Sequence, residues 1–285
     1  MISQSLRLHR PSPALQQHVQ AIGEWEVPDP ATARTLSSLI LPALGPILVF
    51  HYRKPMEMAH QGGRLRYRAL VSGPQTDPSH LHPTGSIGSI TCRLTLAGGV
   101  RFFGPNLADM TGRHLPLDLW LPASALEHRA EALAEAATSA RRIELVEAFL
   151  LSLPAYPAER TILAAAEALR RHPALPLHDL SARLDLSERE VRRRFLKTFA
   201  LPPKRFAGVA RIERLIAERR RGAAWADAAY AAGYFDQAHM IHDFRRQIGP
   251  APQRFWQKTH ACRHAPEETL IALSDFSNYF FHRQS

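Results

Sequence analysis

Apolar residues fall along this chain in two different rhythms. Between Thr35 and about Phe103 they come in short runs, LILP, PILVFHY, YRALVSG and GSIGSITCRL, divided by Gly and Pro. Runs of that length between turn formers predict strands of a mostly antiparallel sheet or a small barrel. From Asn106 onward the spacing becomes helical. LPASALEHRAEALAEA and ARRIELVEAFLLSL carry Ala, Leu and Glu at helical intervals, and Pro154 and Pro157 stop the second. SLPAYPAER then breaks the pattern, so a domain boundary is expected between Ser152 and Ala158.

Beyond that break almost every segment reads as helix. ERTILAAAEALRRH ends before Pro173, and the short LHDLSARLD is followed after a tight turn by SEREVRRRFLKTFA. PPKRFAGVARIERLIAERRRG is long and ends at Gly222; WADAAYAAG, DQAHMIHDFRRQIG and PQRFWQK complete the set. The expected fold is α+β with two domains. Residues 1–153 form a β-rich domain with trailing helices. Residues 158–258 form an all-α domain, and residues 259–285 a tail whose FSNYFF cluster has no assigned place.

An internal repeat organises the helical third. Ser187, Val191, Phe195, Pro203, Arg205 and Phe206 recur 49 residues later as Asp236, Met240, Phe244, Pro252, Arg254 and Phe255. Upstream, Asp179 matches Asp227 at an offset of 48, so the second copy has one extra residue in its turn. Each copy reads as short helix, turn, capped helix and stop, which is the order of a helix-turn-helix unit. Ser187 and Asp236 are N-cap types, able to accept from the first free amides of each second helix. Val191 with Phe195, and Met240 with Phe244, are i,i+4 pairs that define a buried stripe. Gly233 falls in the second turn, where a positive φ suits glycine.

That stripe sets the opposite face. Arg189, Arg192 and Arg193 lie on or beside it, and their guanidinium forks suit bidentate contact with guanine or phosphate. In the second copy Gln237 and His239 lie near the helix start and His242 one turn further on; Gln can pair with adenine. Ser187, Lys197 and Arg246 complete the expected DNA-contact set. Arg211, Arg214, Arg219, Arg220 and Arg221 stripe the long connecting helix, where phosphate contact competes with pairing to Glu213 and Glu218.

Charge sharpens this picture. The net charge is +10, and residues 158–258 hold 20 Lys/Arg against 11 Asp/Glu while the remainder holds 16 against 15. A basic domain joined to a near-neutral one points to nucleic acid rather than to a uniformly basic enzyme. The 45% apolar content excludes wholesale disorder.

The run AGYFDQAHMIHDFRRQIGPAPQRF resembles the signature of the AraC-type regulators, and the resemblance covers roughly Arg160 to Trp256. It implies a seven-helix DNA-binding domain whose two helix-turn-helix units read successive major-groove segments of one duplex. Ala238 stands where a serine is common and His242 where an arginine is common, which implies fewer strong contacts from the second reader. ILVFHY, LVSGPQTDP and ADMTGRHLPLDLW resemble an uncharacterised sensor-like domain found ahead of this module in some AraC-type proteins. That implies regulation or self-association and names no ligand.

Other chemistry finds little support. His51, His60, His80 and His82 could gather in a small barrel around a metal, but no nearby Glu completes the set. Cys92 and Cys262 form no CxxC pair or zinc cluster, fit a reducing cytoplasm, and Cys92 reads as a half-buried strand thiol. GSIGSI lacks the Lys-Ser/Thr of a phosphate loop, and no nucleophile elbow appears. No apolar run has signal-peptide or membrane-spanning length. The expectation is a non-enzymatic, cofactor-free, metal-free transcription factor whose partner is double-stranded DNA. RNA polymerase, a small-molecule effector and a second copy of the chain are further candidate partners. An N-terminal domain that acts on nucleotides, and an architectural binder without sequence preference, remain as alternatives.

Overall fold

The computed structural model describes residues 5–34, 36–260 and 279–283. Its first part holds β1 (Ser5–His9), β2 (Val19–Val27), α1 (Pro30–Arg34), β3 (Leu36–Ile40), β4 (Ile47–His51), β5 (Glu57–His60) and β6 (Gly63–Leu65). Then come β7 (Ala69–Ser72), β8 (Ser79–His82), β9 (Ile87–Leu94), α2 (Leu96–Phe103), α3 (Asn106–Met110), β10 (His114–Pro116), α4 (Ala123–Glu135) and α5 (Ser139–Ser152). The helical third holds α6 (Arg160–Arg171), α7 (Leu177–Arg183), α8 (Glu188–Phe199), α9 (Pro203–Arg220), α10 (Trp225–Ala231), α11 (Gln237–Ile248) and α12 (Pro252–His260). A last strand, β11 (Tyr279–Arg283), comes from the tail and pairs antiparallel with β3; Phe276 to Asn278 of the FSNYFF cluster, and Cys262, lie outside the described residues.

The strands make two antiparallel sheets, ordered β1-β2-β9-β4-β7-β10 and β11-β3-β8-β5-β6. Strand periodicity explains how they stack. On one face of the first sheet Ile47, Val49, Leu70 and Ile87 pack with Met58 and Leu81 of the second sheet. Their neighbours Leu48, Phe50, Val71, Ile90 and Cys92 point the other way, into a core with Phe103, Val146 and Phe149 of the helices. The first sheet is therefore covered on both sides, and all five residues of β4 are buried.

Three expectations need correction. Strands begin well before Thr35, because β1 and β2 form one edge of the first sheet. Buried Glu24 masks β2 in the sequence; Arg142 donates to it at 2.9 Å and the Tyr52 hydroxyl at 3.1 Å. Burial pushes the Glu24 carboxyl up, but hydrogen bonds from Ser139, Arg142 and Tyr52 outweigh it and hold the pKa below the usual value. The second correction is at residues 96–103, which are helix rather than strand. Thr95 caps that helix by accepting from Gly98 N at 2.9 Å, and a Cβ on Gly98 would lie 1.9 Å from His18 O. Gly98 thus serves close packing. Third, Cys92 is fully rather than half buried, and burial pushes its thiol pKa up.

The histidines are also arranged differently from a metal cage. His80 and His82 stack on each other at 6.2 Å, and His51 is buried with both ring nitrogens unpartnered among the described residues. Among those residues no group of three or more His, Cys, Asp or Glu is placed to hold a metal. His60 instead meets His114 in a chain of hydrogen bonds that joins the two sheets. Gly112 O can only accept, so His60 Nε2 donates to it at 3.1 Å. A neutral His60 then accepts at Nδ1 from Ser79 Oγ at 2.8 Å, and Ser79 Oγ in turn accepts from His114 Nε2 at 2.8 Å. His114 Nδ1 closes the chain by accepting from Ser72 Oγ at 2.7 Å. With both rings in the neutral form, donation to this one carbonyl fixes the order of donors and acceptors along the chain.

Burial, with His60 close by, lowers the His114 pKa to about 3; burial alone lowers that of His51 to about 4. The unfolded chain therefore takes up protons first, below the ordinary histidine pKa of about 6.5. Stability from these rings is complete above pH ~6.5 and is lost as pH falls toward the folded values, by up to ~1.4 kcal/mol per pH unit per ring. Urea unfolding at pH 7.5, 6 and 5 should show the parent losing stability with acid. His114→Gln should lose less over the same range, and equal slopes would show that the relay carries no proton linkage.

Candidate nucleic-acid interface

The helices α6 to α12 are the seven expected of the reading module. In the first unit α7 and α8 flank a turn in which Asp185 has φ +52°; in the second, α10 and α11 flank Gly233 at φ +82°. These residues are 48 apart, so the left-handed position is shared and the extra residue of the second copy follows it. Ser187 Oγ accepts from Glu190 N at 3.2 Å, and Asp236 Oδ1 from His239 N at 2.7 Å. Both reading helices end on a positive φ as well, at Ala200 and Gly249.

The repeat extends into packing. Val191, Phe195, Met240 and Phe244 are buried. Phe195 meets Phe206 with ring centroids 5.4 Å apart, and Phe244 meets Phe255 at the same separation. Each second helix is thus pinned to the first turn of the helix after it, with the repeated prolines Pro203 and Pro252 opening those helices.

The opposite face of α8 exposes Arg189, Arg192, Arg193 and Lys197, with Ser187 at its head. Two glutamates modulate it. Glu188 takes Arg192 at 2.5 Å, while Glu190 takes Arg193 at 2.7 Å and Arg194 at 2.6 Å. Hydrogen bonds from Arg193 and Arg194 hold the Glu190 carboxyl well below the usual carboxylate range. Arg189 has no ion-pair partner among the described residues. Exposed helical pairs contribute only ~0.3–0.5 kcal/mol, so Arg192 and Arg193 can exchange these carboxylates for phosphate or guanine at little cost.

On α11, Gln237, His239 and His242 are exposed, and His239 stands edge-on to Tyr234 at 5.3 Å. Arg246 is exposed and pairs with buried Asp243, which also accepts from the Tyr234 hydroxyl at 3.0 Å. The second face is therefore less basic than the first.

The arginines of α9 separate by role. Arg219 lies between Trp225 and Trp256, 4.6 and 5.0 Å from their ring centres, and is part of the packing. Arg211 reaches Asp243 at 3.9 Å, and Arg221 reaches Glu218 at 2.9 Å. Glu213, expected within this stripe, instead takes Arg93 of β9 at 2.7 Å. Thr111 donates to Phe199 O at 2.7 Å and Arg205 to Thr76 at 2.9 Å, adding two more polar ties between the reading module and the sheets.

Two exposed aromatics escaped sequence reasoning. Tyr230 is 85% and Phe235 93% exposed, the latter directly before the Asp236 cap. The pair Tyr234-Phe235 looks like core, and its equivalent ahead of the first cap, Leu186, does pack against the core, so no local signal marked Phe235 as exposed.

Residues 180–258 match the model of a helix-turn-helix domain, and residues 7–116, spanning β1 to β10, match a domain of unknown function, DUF6597. None of the curated proteins matches the chain. Among solved structures, an apo ToxT variant from Vibrio cholerae strain SCE256 is 8% identical with a TM-score of 0.50, covering 82% of this chain and 96% of that one. A second ToxT structure from Vibrio cholerae is 9% identical at a TM-score of 0.48, covering 88% and 97%. The AraC-like transcriptional activator CuxR is 12% identical at 0.25, covering 79% and 91%. The likeness to the first is one of fold, a β-rich domain followed by a helical one. The chain is a DNA-binding transcription factor, with an AraC-type helix-turn-helix domain behind a DUF6597 domain. Among the described residues no helix is long and apolar enough to cross a membrane.

Gly233 offers a direct test of the second turn. A Cβ there would lie 3.0 Å from Ala174 Cβ, at a φ that β-branched residues avoid. Gly233→Val is expected to cost ~1–3 kcal/mol. It should shorten the DNase footprint on one side while the other half remains protected. A full footprint with unchanged stability would remove the role assigned to this glycine.

Proposed function

We propose that the chain is a sequence-specific regulator that reads two successive major-groove segments of one duplex with α8 and α11. The observation that carries this reading is the duplicated geometry: two helices, each capped, each pinned by the same phenylalanine contact, each presenting a polar face. Arg189, Arg192 and Arg193 read bases or adjacent phosphates in the first segment; Gln237, His239 and His242 do so in the second. Ser187, Lys197 and Arg246 position the helices on the backbone. Residues 158–258 act as the reader, residues 1–153 as the sensing or self-associating part, and residues 259–285 as an appended tail. The reading assigns the chain no catalysis and a place in the cytoplasm.

Selection of bound fragments from random DNA by the purified full chain tests this directly. A two-part motif spaced by about one turn of DNA is expected. A collection without motif would favour the architectural alternative. With about six to eight phosphates neutralised, log K should fall against log salt with a slope of about −5 to −7. A slope shallower than about −2 would remove the electrostatic basis of the reading.

Arg189 separates base reading from backbone contact, because it alone of the α8 arginines has no carboxylate partner among the described residues. Arg189→Ala should cost ~1–3 kcal/mol on the selected site and relax preference at one or two base pairs. Lys197→Ala should weaken all sequences alike. Uniform weakening by both substitutions would misplace the reading face.

A further inference from the structure

A cleft of about 850 Å³ opens between the sheets and the reading module. One wall is the end of β9 and the start of α2, and the other is formed by α6 and α9. We propose that this cleft binds a compact polyanion, a small molecule bearing several phosphates or carboxylates, which clasps the reading module to the sheets.

The charge of the walls carries the argument. Six arginines line the cleft against three glutamates. Each glutamate is taken by one arginine: Glu213 by Arg93 at 2.7 Å, Glu167 by Arg170 at 2.9 Å, and Glu218 by Arg221 at 2.9 Å. Of the other three, Arg171 and Arg214 make no ion pair among the described residues, and Arg220 stands beside them. Arg214 is held in place by donating from Nη1 to Arg171 O at 2.5 Å, while its buried Nε meets no acceptor among the described residues. On the opposite wall the buried Nε of Arg93 likewise meets none. Buried guanidinium donors left without an acceptor are costly, and a multivalent anion supplies charge-assisted acceptors to both walls at once.

The same walls limit the ligand class. No aromatic lines the cleft, and its apolar side chains are the small or isolated Leu94, Leu96, Ala210 and Ala217. An apolar acid would find little to pack against, so charge density rather than chain length selects the ligand. The volume lies within the range of ordinary small-molecule sites. Because the two walls belong to different parts of the chain, a bound anion adds its binding free energy to their association.

Inorganic pyrophosphate is a suitable probe, titrated into the full chain by calorimetry at constant ionic strength, with decanoate as the apolar comparison. The parent should bind one pyrophosphate saturably, melt at a higher temperature in its presence, and ignore decanoate. Arg171→Gln/Arg214→Gln should weaken pyrophosphate binding about tenfold or more, as loss of a charge-assisted contact does. Ala217→Glu puts a carboxylate into the same wall and should produce the same loss, which covers the case in which the double variant fails to fold. Arg66→Gln/Arg68→Gln removes equal charge from exposed positions near β7 and should bind as the parent does. Lack of saturable binding by the parent, equal losses in the Arg66/Arg68 control, or tighter binding of decanoate would each overturn the proposal. It would also be overturned if the cleft variants kept pyrophosphate and lost DNA affinity instead, because the arginines would then serve nucleic acid. DNA binding by the parent without pyrophosphate is measured separately, so failure here leaves the DNA reading standing.

Discussion

The two-sided burial of the first sheet is the constraint on which the rest of this structure depends. With Ile47 and Val49 committed to the second sheet, Leu48 and Phe50 must be covered from the other side. A sheet in that position needs a helical layer, and α2 to α5 supply part of it. The core then continues without interruption through Ile162 and Leu169 of α6 to Val191, Phe195 and Phe199 of α8. Burial of apolar surface at ~25 cal/mol per Å² makes such a shared core more decisive than any single surface contact. The first reading helix is thereby placed by the same packing that closes the sheet.

The second unit is placed by a separate cluster. Leu39 and Leu41, at the end of β3, pack with Ile212, Ile216, Met240 and Phe244. Between these two apolar anchorages lie the polar ties, Arg93 to Glu213 and Thr111 to Phe199 O. The Arg93–Glu213 pair sets the register of α9 against the sheets, because a partly buried ion pair tolerates little displacement once both charges have left water, and the Thr111 bond ties the end of α8.

The two readers differ in chemistry more than in shape. Caps, turns and phenylalanine pins are repeated, whereas the exposed faces diverge: α8 presents arginines balanced by Glu188 and Glu190, and α11 presents Gln237, His239 and His242. The exposed face of α8 is thus the more cationic of the two and that of α11 the more neutral.

Much of the reading module was legible from sequence alone, because its signals are local. An N-cap, an i,i+4 stripe and a left-handed turn are decided within a few residues, and duplication at an offset of 49 separates them from chance. The N-terminal half was legible only in outline. Glu24 looks foreign to a strand until Arg142, 118 residues away, neutralises it, and Gly98 shows no role until His18 O comes against it. His60 joined His114, which sequence reasoning had left out, and Glu213 left its helical neighbours for Arg93. A buried polar group takes whatever partner the fold brings to it, and that partner is set by packing over long sequence separations. Local pattern thus determined what each reading helix is, and tertiary packing alone decided how both are held.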